Sequence, residues 1–188
     1  MPATLDLTLV RRLAASFPRE GWHVIETQSF VADRGVQIWS DWGPASHVAE
    51  QGGVYTVLLP CAWFTPPRVI PLHAPHTHHA PTIDYAFTLT PSSGDGYGVV
   101  YVGRTSNLTQ RWRGHLTRGE RNDGGQVKFG LMDCGLYSEP DVALRALRKH
   151  ARIIYTVLHG SNNCANRDVL EMSLCAQLAP PFNIKSER

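Results

Sequence analysis

The stretch Val100-Tyr-Val-Gly-Arg-Thr-Ser-Asn-Leu-Thr-Gln-Arg-Trp-Arg-Gly-His115 decides how the rest of the chain is interpreted. Its first residues are β-branched or aromatic and predict a buried strand that ends at Gly103. Asn107 is a suitable N-cap for the helix that follows. Arg111 and His115 stand four residues apart on that helix, so their side chains lie on one face. The stretch therefore predicts a strand, a turn and a helix with two functional side chains side by side.

Two other stretches carry polar residues in comparable surroundings. Gly53-Val54-Tyr55 opens an apolar run that predicts a second buried strand over residues 53–59. Towards the C-terminus, Glu171 falls within a helix predicted over residues 167–178, which Pro180 and the next proline terminate. Asn183 follows directly after these prolines. The sequence thus distributes its candidate residues over two strands and two helices.

This ordered set resembles the signature of the GIY-YIG nucleases. Gly53-Val54-Tyr55 is similar to the first half of that signature, and Tyr101-Val102-Gly103 is similar to the second half. Arg111 and His115 follow Tyr101 at ten and fourteen places, as the resemblance requires. It implies an α/β (α+β) fold, in which helices flank a small three-stranded antiparallel sheet, and an endonuclease that hydrolyses phosphodiester bonds in DNA. The third predicted strand covers residues 152–158, and the flanking helices cover 107–118, 140–151 and 167–178.

The resemblance also assigns roles within the site. The matching positions are Tyr55, Tyr101, Arg111, His115, Glu171 and Asn183. By resemblance, Tyr55 is the general base, which needs cationic help because a free phenol has a pKa of about 10. Arg111 would donate in a fork to phosphate oxygens, while Tyr101 and His115 would orient the water and the phosphate. Glu171 would be the single carboxylate ligand of Mg²⁺, with Mn²⁺ able to replace it, and Asn183 would anchor the local fold or contact the cleaved strand.

The spacing of the two tyrosine motifs departs from the compact members of the family. Tyr55 and Tyr101 are separated by 45 residues, so an insertion is expected at about residues 60–98. Its seven prolines exclude a long helix, and a further strand is expected over residues 85–90. A second alignment stays open, in which Ile83-Asp-Tyr85 supplies the first motif and pairs with the strand of Tyr101.

Elaboration of this hairpin resembles the restriction enzymes of the family. We therefore expect a sequence-specific type II restriction endonuclease that acts as a homodimer on double-stranded DNA, because two-fold symmetry matches a palindromic site. The alternatives are a GIY-YIG nuclease of the repair, homing or modified-DNA type, and a non-catalytic nucleic-acid-binding module. The residues expected to contact DNA are Arg104, Arg113, Arg118, Arg68 and His76, together with the other histidines of the insertion, His73, His78 and His79.

Composition sets the remaining expectations. The chain has 188 residues, 43% of them hydrophobic, which suits a globular protein with one substantial core. The resemblance implies a nuclease domain over 51–188, preceded by an N-terminal extension over 1–50. In the extension we expect a helix over residues 4–18 and a Trp-rich segment whose indoles, Trp22, Trp39 and Trp42, lie in the core. The net charge of only +2 indicates local basic surfaces rather than a basic body; a second basic cluster, at Arg145, Arg148, Lys149 and Arg152, could equally be structural. Four separated cysteines and the lack of a membrane-length apolar run predict reduced thiols in a cytoplasmic protein without a membrane partner.

Overall fold

The computed structural model describes residues 5–27, 51–72, 83–92, 94–116 and 125–183. In these ranges the chain is a mixed α+β protein with antiparallel sheets. Its strands are β1 (His23–Glu26), β2 (Gly53–Pro60), β3 (Arg68–Leu72), β4 (Ile83–Phe87), β5 (Tyr97–Thr105) and β6 (Arg152–Val157). Its α-helices are α1 (Leu7–Ser16), α2 (Leu108–Leu116), α3 (Gln126–Asp133), α4 (Pro140–His150) and α5 (Cys164–Leu178). Short 3-10 turns cover Cys61–Phe64 and Ser161–Asn163.

The main sheet contains four strands in the order β1-β6-β2-β5, all antiparallel. The three strands predicted from the sequence are confirmed as β2, β5 and β6, but the expectation of a three-stranded sheet was wrong. The fourth strand, β1, lies in the N-terminal segment and pairs with β6, with Val24 opposite Ile154. Short strands and loops were expected over residues 20–50, but His23-Val-Ile-Glu26 does not alternate between apolar and polar residues, so its pairing with the main sheet was not predicted.

The insertion does not disturb the pairing of the two tyrosine strands. Tyr55 of β2 lies opposite Gly103 of β5, so the strands pair as the first alignment requires. The second alignment was wrong, because β4 pairs with β3 in a separate two-stranded sheet that sets Tyr85 opposite Ile70. The strand expected over residues 85–90 is therefore present, but it begins earlier and belongs to the insertion's own β-ribbon.

Side chains on the two faces of the main sheet form two apolar clusters. One face, here called the α2 face, carries Tyr55 and Tyr101 and is covered by residues of α2, α3, α4 and the β3–β4 ribbon. The opposite face, here called the α5 face, carries Val54 and Val102 and is covered by residues of α1 and α5. The alternation of β2 therefore sends its motif tyrosine to one helical layer and its neighbours to the other.

An irregularity in β5 adjusts this alternation next to the tyrosine motif. The register between β2 and β5 shifts after Val57, which pairs with Tyr101, because Leu58 pairs with Val99. Val100 is thus an extra residue, and it joins Tyr101 on the α2 face. A β-bulge of this kind re-aims side chains and is common beside functional sites.

Helix ends follow local sequence signals in most places. Asn107 caps α2 as expected, with its Oδ1 accepting a hydrogen bond from the N–H of Gln110 at 2.9 Å. Proline occupies the first turn of α4 as predicted. The first helix is confirmed but shorter than predicted, since the side chain of Asp6 caps it by accepting from Leu9 N–H at 2.9 Å.

Helix α3 was not predicted. The sequence before it is rich in turn-forming residues, and the helix itself contains Gly130, which is unfavourable in a helix interior. The structure supplies the reason for that glycine, because a Cβ there would lie 2.5 Å from the ring of Phe182. Packing with a distant segment therefore outweighs the local propensity.

The N-terminal elements are packed against the rest of the chain. The backbone N–H of Asp6 donates to Oδ1 of Asn166 on α5 at 2.7 Å. Trp22 is buried, as expected for a core indole, and its Nε1 donates to the carbonyl of Leu13 at 2.9 Å. The predictions for Trp39 and Trp42 lie outside the described residues. No helix within the described ranges has both the length and the apolar character needed to cross a membrane.

Candidate active site

Two tyrosine rings and one glycine form the floor of the candidate site. The rings of Tyr55 and Tyr101 project from neighbouring strands onto the α2 face, with centroids 6.1 Å apart. Gly103 lies directly beneath them. A Cβ at this position would come within 2.7 Å of both the Tyr55 hydroxyl and the Tyr101 ring, closer than real Cβ atoms approach other atoms. Glycine is therefore needed here so that both rings can rest on the strand.

Gly53, the glycine of the first motif, allows close packing of neighbouring elements at the same end of the sheet. A Cβ on Gly53 would lie 2.2 Å from the backbone carbonyl of Thr156 on β6 and 2.9 Å from the side chain of Leu108. Gly53 thus lets β6 and the first residue of α2 approach β2 at the point where the site begins. Both glycines of the motifs have steric functions that the structure makes explicit.

Helix α2 supplies the polar partners of the tyrosines. The Tyr55 hydroxyl lies 2.7 Å from Nε2 of His115. Nε of Arg111 donates to the same hydroxyl at 3.2 Å, and its Nη2 donates to the Tyr101 hydroxyl at 3.4 Å. Trp112, fully buried, packs its ring 4.9 Å from that of Tyr155 and holds the helix in place. The predicted shared face of Arg111 and His115 is therefore confirmed, and it points at the motif tyrosines.

Burial governs the protonation of these groups. Burial raises the pKa of Tyr55 well above that of a free phenol, and the nearby Tyr101 adds to the rise, while the charge of Arg111 opposes it. Burial likewise raises the pKa of Tyr101, against the lowering effect of Arg111. For Arg111, burial lowers the pKa, but the two phenolic oxygens raise it by more, so the guanidinium stays charged. At neutral pH the cluster is two neutral phenols around one cation.

The contacts of Tyr55 define how its proton can move. As a neutral phenol it can accept from Arg111 and donate to His115 Nε2, provided that the imidazole is unprotonated at that nitrogen. Tyr55 is fully buried and His115 is 1% exposed, so neither side chain faces solvent in the free chain. His115 contacts the phenol directly, and its expected role in orienting water stays a prediction. Arg111, half-buried, is the most accessible of these side chains.

Glu171 approaches the cluster from the α5 face. Its carboxylate Oε2 lies 2.8 Å from Nε of Arg104, whose Nη1 lies 3.0 Å from Oδ1 of Asp168. Burial is the main cause of the raised pKa of Tyr101, and the charge of Glu171 also contributes to the rise. Because β5 is the last strand of the main sheet, groups from both faces can meet around its edge.

Asn183 binds this same edge strand. Its Nδ2 donates to the carbonyl of Val102 at 2.7 Å, and its Oδ1 accepts from the Val102 N–H at 2.8 Å. The N–H of Phe182 donates to the carbonyl of Val100, the bulged residue, at 2.9 Å. Asn183 is buried, so its contacts fit the anchoring role among the expectations. It fixes the strand between the two motif residues Tyr101 and Gly103.

The residues expected to contact DNA differ in their exposure to solvent and in their contacts within the protein. Arg113 is exposed on α2. Arg104 contacts Glu171 and Asp168. Arg68 is half-buried, and its Nε donates to the carbonyl of Trp63 at 3.2 Å, so part of its guanidinium supports the insertion itself. Arg118 and His76, with His73, His78 and His79, lie outside the described residues.

Two of the four residues of the second basic cluster have structural contacts. Arg148 Nε donates to the carbonyl of Leu116 at 2.7 Å and ties α4 to the end of α2. Arg152 pairs with Glu26 and Asp95, and its guanidinium lies 3.8 Å from the centroid of the Tyr97 ring. These contacts account for Arg148 and Arg152 without a nucleic acid, whereas Arg145 and Lys149 are exposed on α4.

The sequence reasoning missed Asp168 and the contact between Arg104 and Glu171. The available signal was the spacing of Asp168 and Glu171, because residues three apart on a helix share a face. Nothing in the sequence showed that this face would lie against the end of β5. Since that placement depends on tertiary packing, Arg104 was interpreted as a surface cation.

The donor set near Glu171 limits what metal could be held. Among the described residues, no three His, Cys, Asp or Glu side chains gather as a metal-binding group. One carboxylate oxygen suits a hard cation such as Mg²⁺, which keeps most of its ligands as water and substrate phosphate. Glu171 therefore fits a single, substrate-completed cation and not a closed protein cage.

Comparison of the chain with protein-family models, with curated proteins and with solved structures found no match. The local geometry and the motif residues therefore carry the functional argument.

Proposed function

We propose that this chain is a GIY-YIG endonuclease that hydrolyses phosphodiester bonds in DNA. The observation that carries the proposal is the convergence of Tyr55, Tyr101, Arg111 and His115 on two phenolic oxygens. These four residues come from three separate elements, β2, β5 and α2. All four residues occupy positions that match the family's motifs. A shared steric need for Gly103 beneath both rings supports the same reading.

The proton path follows from the contacts of Tyr55. Its raised pKa prevents the phenol from ionising on its own at neutral pH. Because Tyr55 is fully buried in the free chain, the side chains over its hydroxyl must shift when DNA binds so that the attacking water can reach it. As Tyr55 then takes a proton from that water, its own proton passes to His115 Nε2, 2.7 Å away. Arg111 stabilises the phenolic oxygen while negative charge develops on it. His115 thus acts through Tyr55, and the pair forms the general base.

Arg111, Tyr101 and a cation held by Glu171 would stabilise the negative charge on the phosphate. The forked guanidinium of Arg111 can donate to phosphate oxygens, and the Tyr101 hydroxyl beside it can donate as well. Glu171 would hold Mg²⁺, or Mn²⁺ in its place. When bound, the metal supplies Lewis-acid stabilisation of the phosphate and of the leaving oxygen.

The β3–β4 ribbon supports a sequence-specific type II restriction enzyme within this class. Phosphate contacts carry no sequence information, so the bases must be read elsewhere. A two-stranded ribbon fits the major groove of DNA, and this one is packed on the same face as the tyrosines through Phe64 and Phe87. We propose that two chains bind a palindromic duplex as a homodimer.

Digestion of a mixed plasmid library with Mg²⁺, followed by sequencing of the ends, tests the proposal. A common short palindrome is expected at the ends. Tyr55→Phe and Glu171→Gln should each lose at least about a hundredfold in cutting rate, as is typical of lost acid–base catalysis. The matched control is Arg12→Gln, a change on the exposed side of α1, which should keep cutting within about tenfold.

Three other outcomes have defined meanings. Cutting at junctions or flaps would replace restriction with the repair-type alternative. Binding of DNA without Mg²⁺-dependent cutting would favour a non-catalytic nucleic-acid-binding module. Mg²⁺-dependent cutting that survives in Tyr55→Phe would remove the tyrosine from the base role.

A further inference from the structure

A single arginine bridges two carboxylates at the end of β5. Arg104 forms ion pairs with both: its Nε lies 2.8 Å from Oε2 of Glu171, and its Nη1 lies 3.0 Å from Oδ1 of Asp168. Asp168 and Glu171 stand three residues apart on α5, so one guanidinium can reach both. This arrangement, here called the Arg104 bridge, directly follows Gly103 in the chain. It therefore joins the tyrosine strand to the helix of the proposed metal ligand.

The bridge is unequally exposed to solvent. The side chain of Arg104 is 47% exposed, whereas that of Glu171 is 15% exposed. A guanidinium with this much exposure can reach a docking phosphate by rotating its flexible stem, while the carboxylate keeps its position in the helix. Arginine is also well matched to phosphate, because its forked N–H groups can donate to two oxygens together.

A metal ion and the guanidinium of Arg104 would compete for the carboxylate of Glu171. A metal ion at Glu171 would compete with the guanidinium for the electron pairs of the carboxylate, and the two positive charges would repel each other. A phosphate that takes the guanidinium lowers this competition. The bridge therefore links the occupancy of the carboxylate to the presence of a phosphate.

We propose that Arg104 couples metal binding to DNA binding. In the free chain the guanidinium occupies Glu171 and weakens metal binding. When a duplex docks, a backbone phosphate draws Arg104 away and makes Glu171 available to the cation. This inference rests on the proposed function, and it adds that DNA and metal bind with positive coupling, each strengthening the other by the same factor.

The primary test measures Mn²⁺ binding to the free chain by electron paramagnetic resonance. Arg104→Gln should bind Mn²⁺ about twofold to fivefold more tightly than the wild type, because ion pairs of this exposure have energies of that order. Arg12→Gln, the same change on the exposed side of α1, should match the wild type. Glu171→Gln combined with Arg104→Gln should lose the gain, which would locate it at this carboxylate. Thermal melting confirms that each variant is folded.

A second arm measures the effect of a duplex. In a Tyr55→Phe background, which prevents cutting, a short cognate duplex or a mixed duplex pool should strengthen Mn²⁺ binding. The ions bound by the duplex alone, and by the Glu171→Gln complex, are subtracted. Adding Arg104→Gln should reduce this strengthening by the factor by which it tightens Mn²⁺ binding to the free chain, since the competing guanidinium is already absent. The remaining strengthening comes from duplex phosphates that complete the ligands of the cation.

The inference and the proposed function fail in different ways. Equal Mn²⁺ affinity of Arg104→Gln and the wild type would overturn the inference even if the wild type cuts DNA. A duplex that leaves the affinity of the Tyr55→Phe protein unchanged would also overturn it. Coupling that is observed in a chain that never cuts DNA would support the bridge and refute the endonuclease.

Discussion

Replacing Gly103 with alanine tests the steric basis of the tyrosine pair. The added Cβ would lie 2.7 Å from the Tyr55 hydroxyl and from Cε1 of Tyr101, and 2.8 Å from Cζ of Tyr55. Ordinary contacts begin near 3.4 Å, so the rings or the strand must shift by more than half an ångström. Tyr55 is fully buried, and its ring cannot retreat without displacing its neighbours.

Overpacking of this kind costs about 1–3 kcal/mol. For a protein of this size, each kcal/mol lowers the midpoint of thermal unfolding by roughly 2–4 °C. We therefore expect Gly103→Ala to melt about 2–12 °C below the wild type in calorimetry. The shift should also separate Tyr55 from His115 Nε2, so DNA cutting should fall more steeply than stability.

Gly94→Ala is the matched control. A Cβ at Gly94 meets nothing within 4 Å, so the same chemical change is made in open space. Its melting temperature should lie within about 1–2 °C of the wild type, in line with ordinary surface substitutions. If Gly103→Ala melts no lower than Gly94→Ala, the packing of the Tyr55 and Tyr101 rings does not require glycine at position 103.

Three more predictions concern stability. Asn183→Ala removes both hydrogen bonds to Val102 and should cost about 2–4 kcal/mol in urea unfolding, since two backbone groups lose their partners; an unchanged midpoint would contradict the anchoring role. Burial raises the pKa values of Tyr55 and Tyr101, so the folded protein retains protons that the unfolded chain releases above about pH 10. The free energy of unfolding should therefore fall as the pH rises above that point, and Tyr55→Phe should flatten the fall; equal slopes would count against a buried neutral phenol. Asp6→Ala should cost about 1 kcal/mol through loss of the N-cap of α1, whereas Asp6→Asn should keep most of it; equal losses in the two variants would argue against capping.

The sequence predicted those features that depend on local patterns. Apolar runs identified β2, β5 and β6, and Asn107 marked the start of α2, because capping and alternation act over a few residues. The spacing of Arg111 and His115 was enough to place both on one face. Their convergence on Tyr55 then followed from the pairing of β2 with β5.

Features set by distant contacts could not be predicted in the same way. Strand β1 is identified by its pairing with β6, and α3 tolerates Gly130 because Phe182 packs there. The bulge at Val100 is visible only once the register of both strands is known. The Arg104 bridge likewise depends on where α5 lies relative to the end of β5.

The contacts of Asn183 with Val102 also affect when the site can form during synthesis of the chain. Ribosomes make the chain from its N-terminus, so Tyr55 and Tyr101 emerge well before Asn183, the residue that secures the strand between the motif positions. Strand β2 must in addition wait for β6, with Gly53 opposite Val157. Contacts between such distant residues form slowly, because long loops must close first. A nascent chain therefore cannot hold a finished site, and hydrolytic competence would arise only after residue 183 has been synthesised.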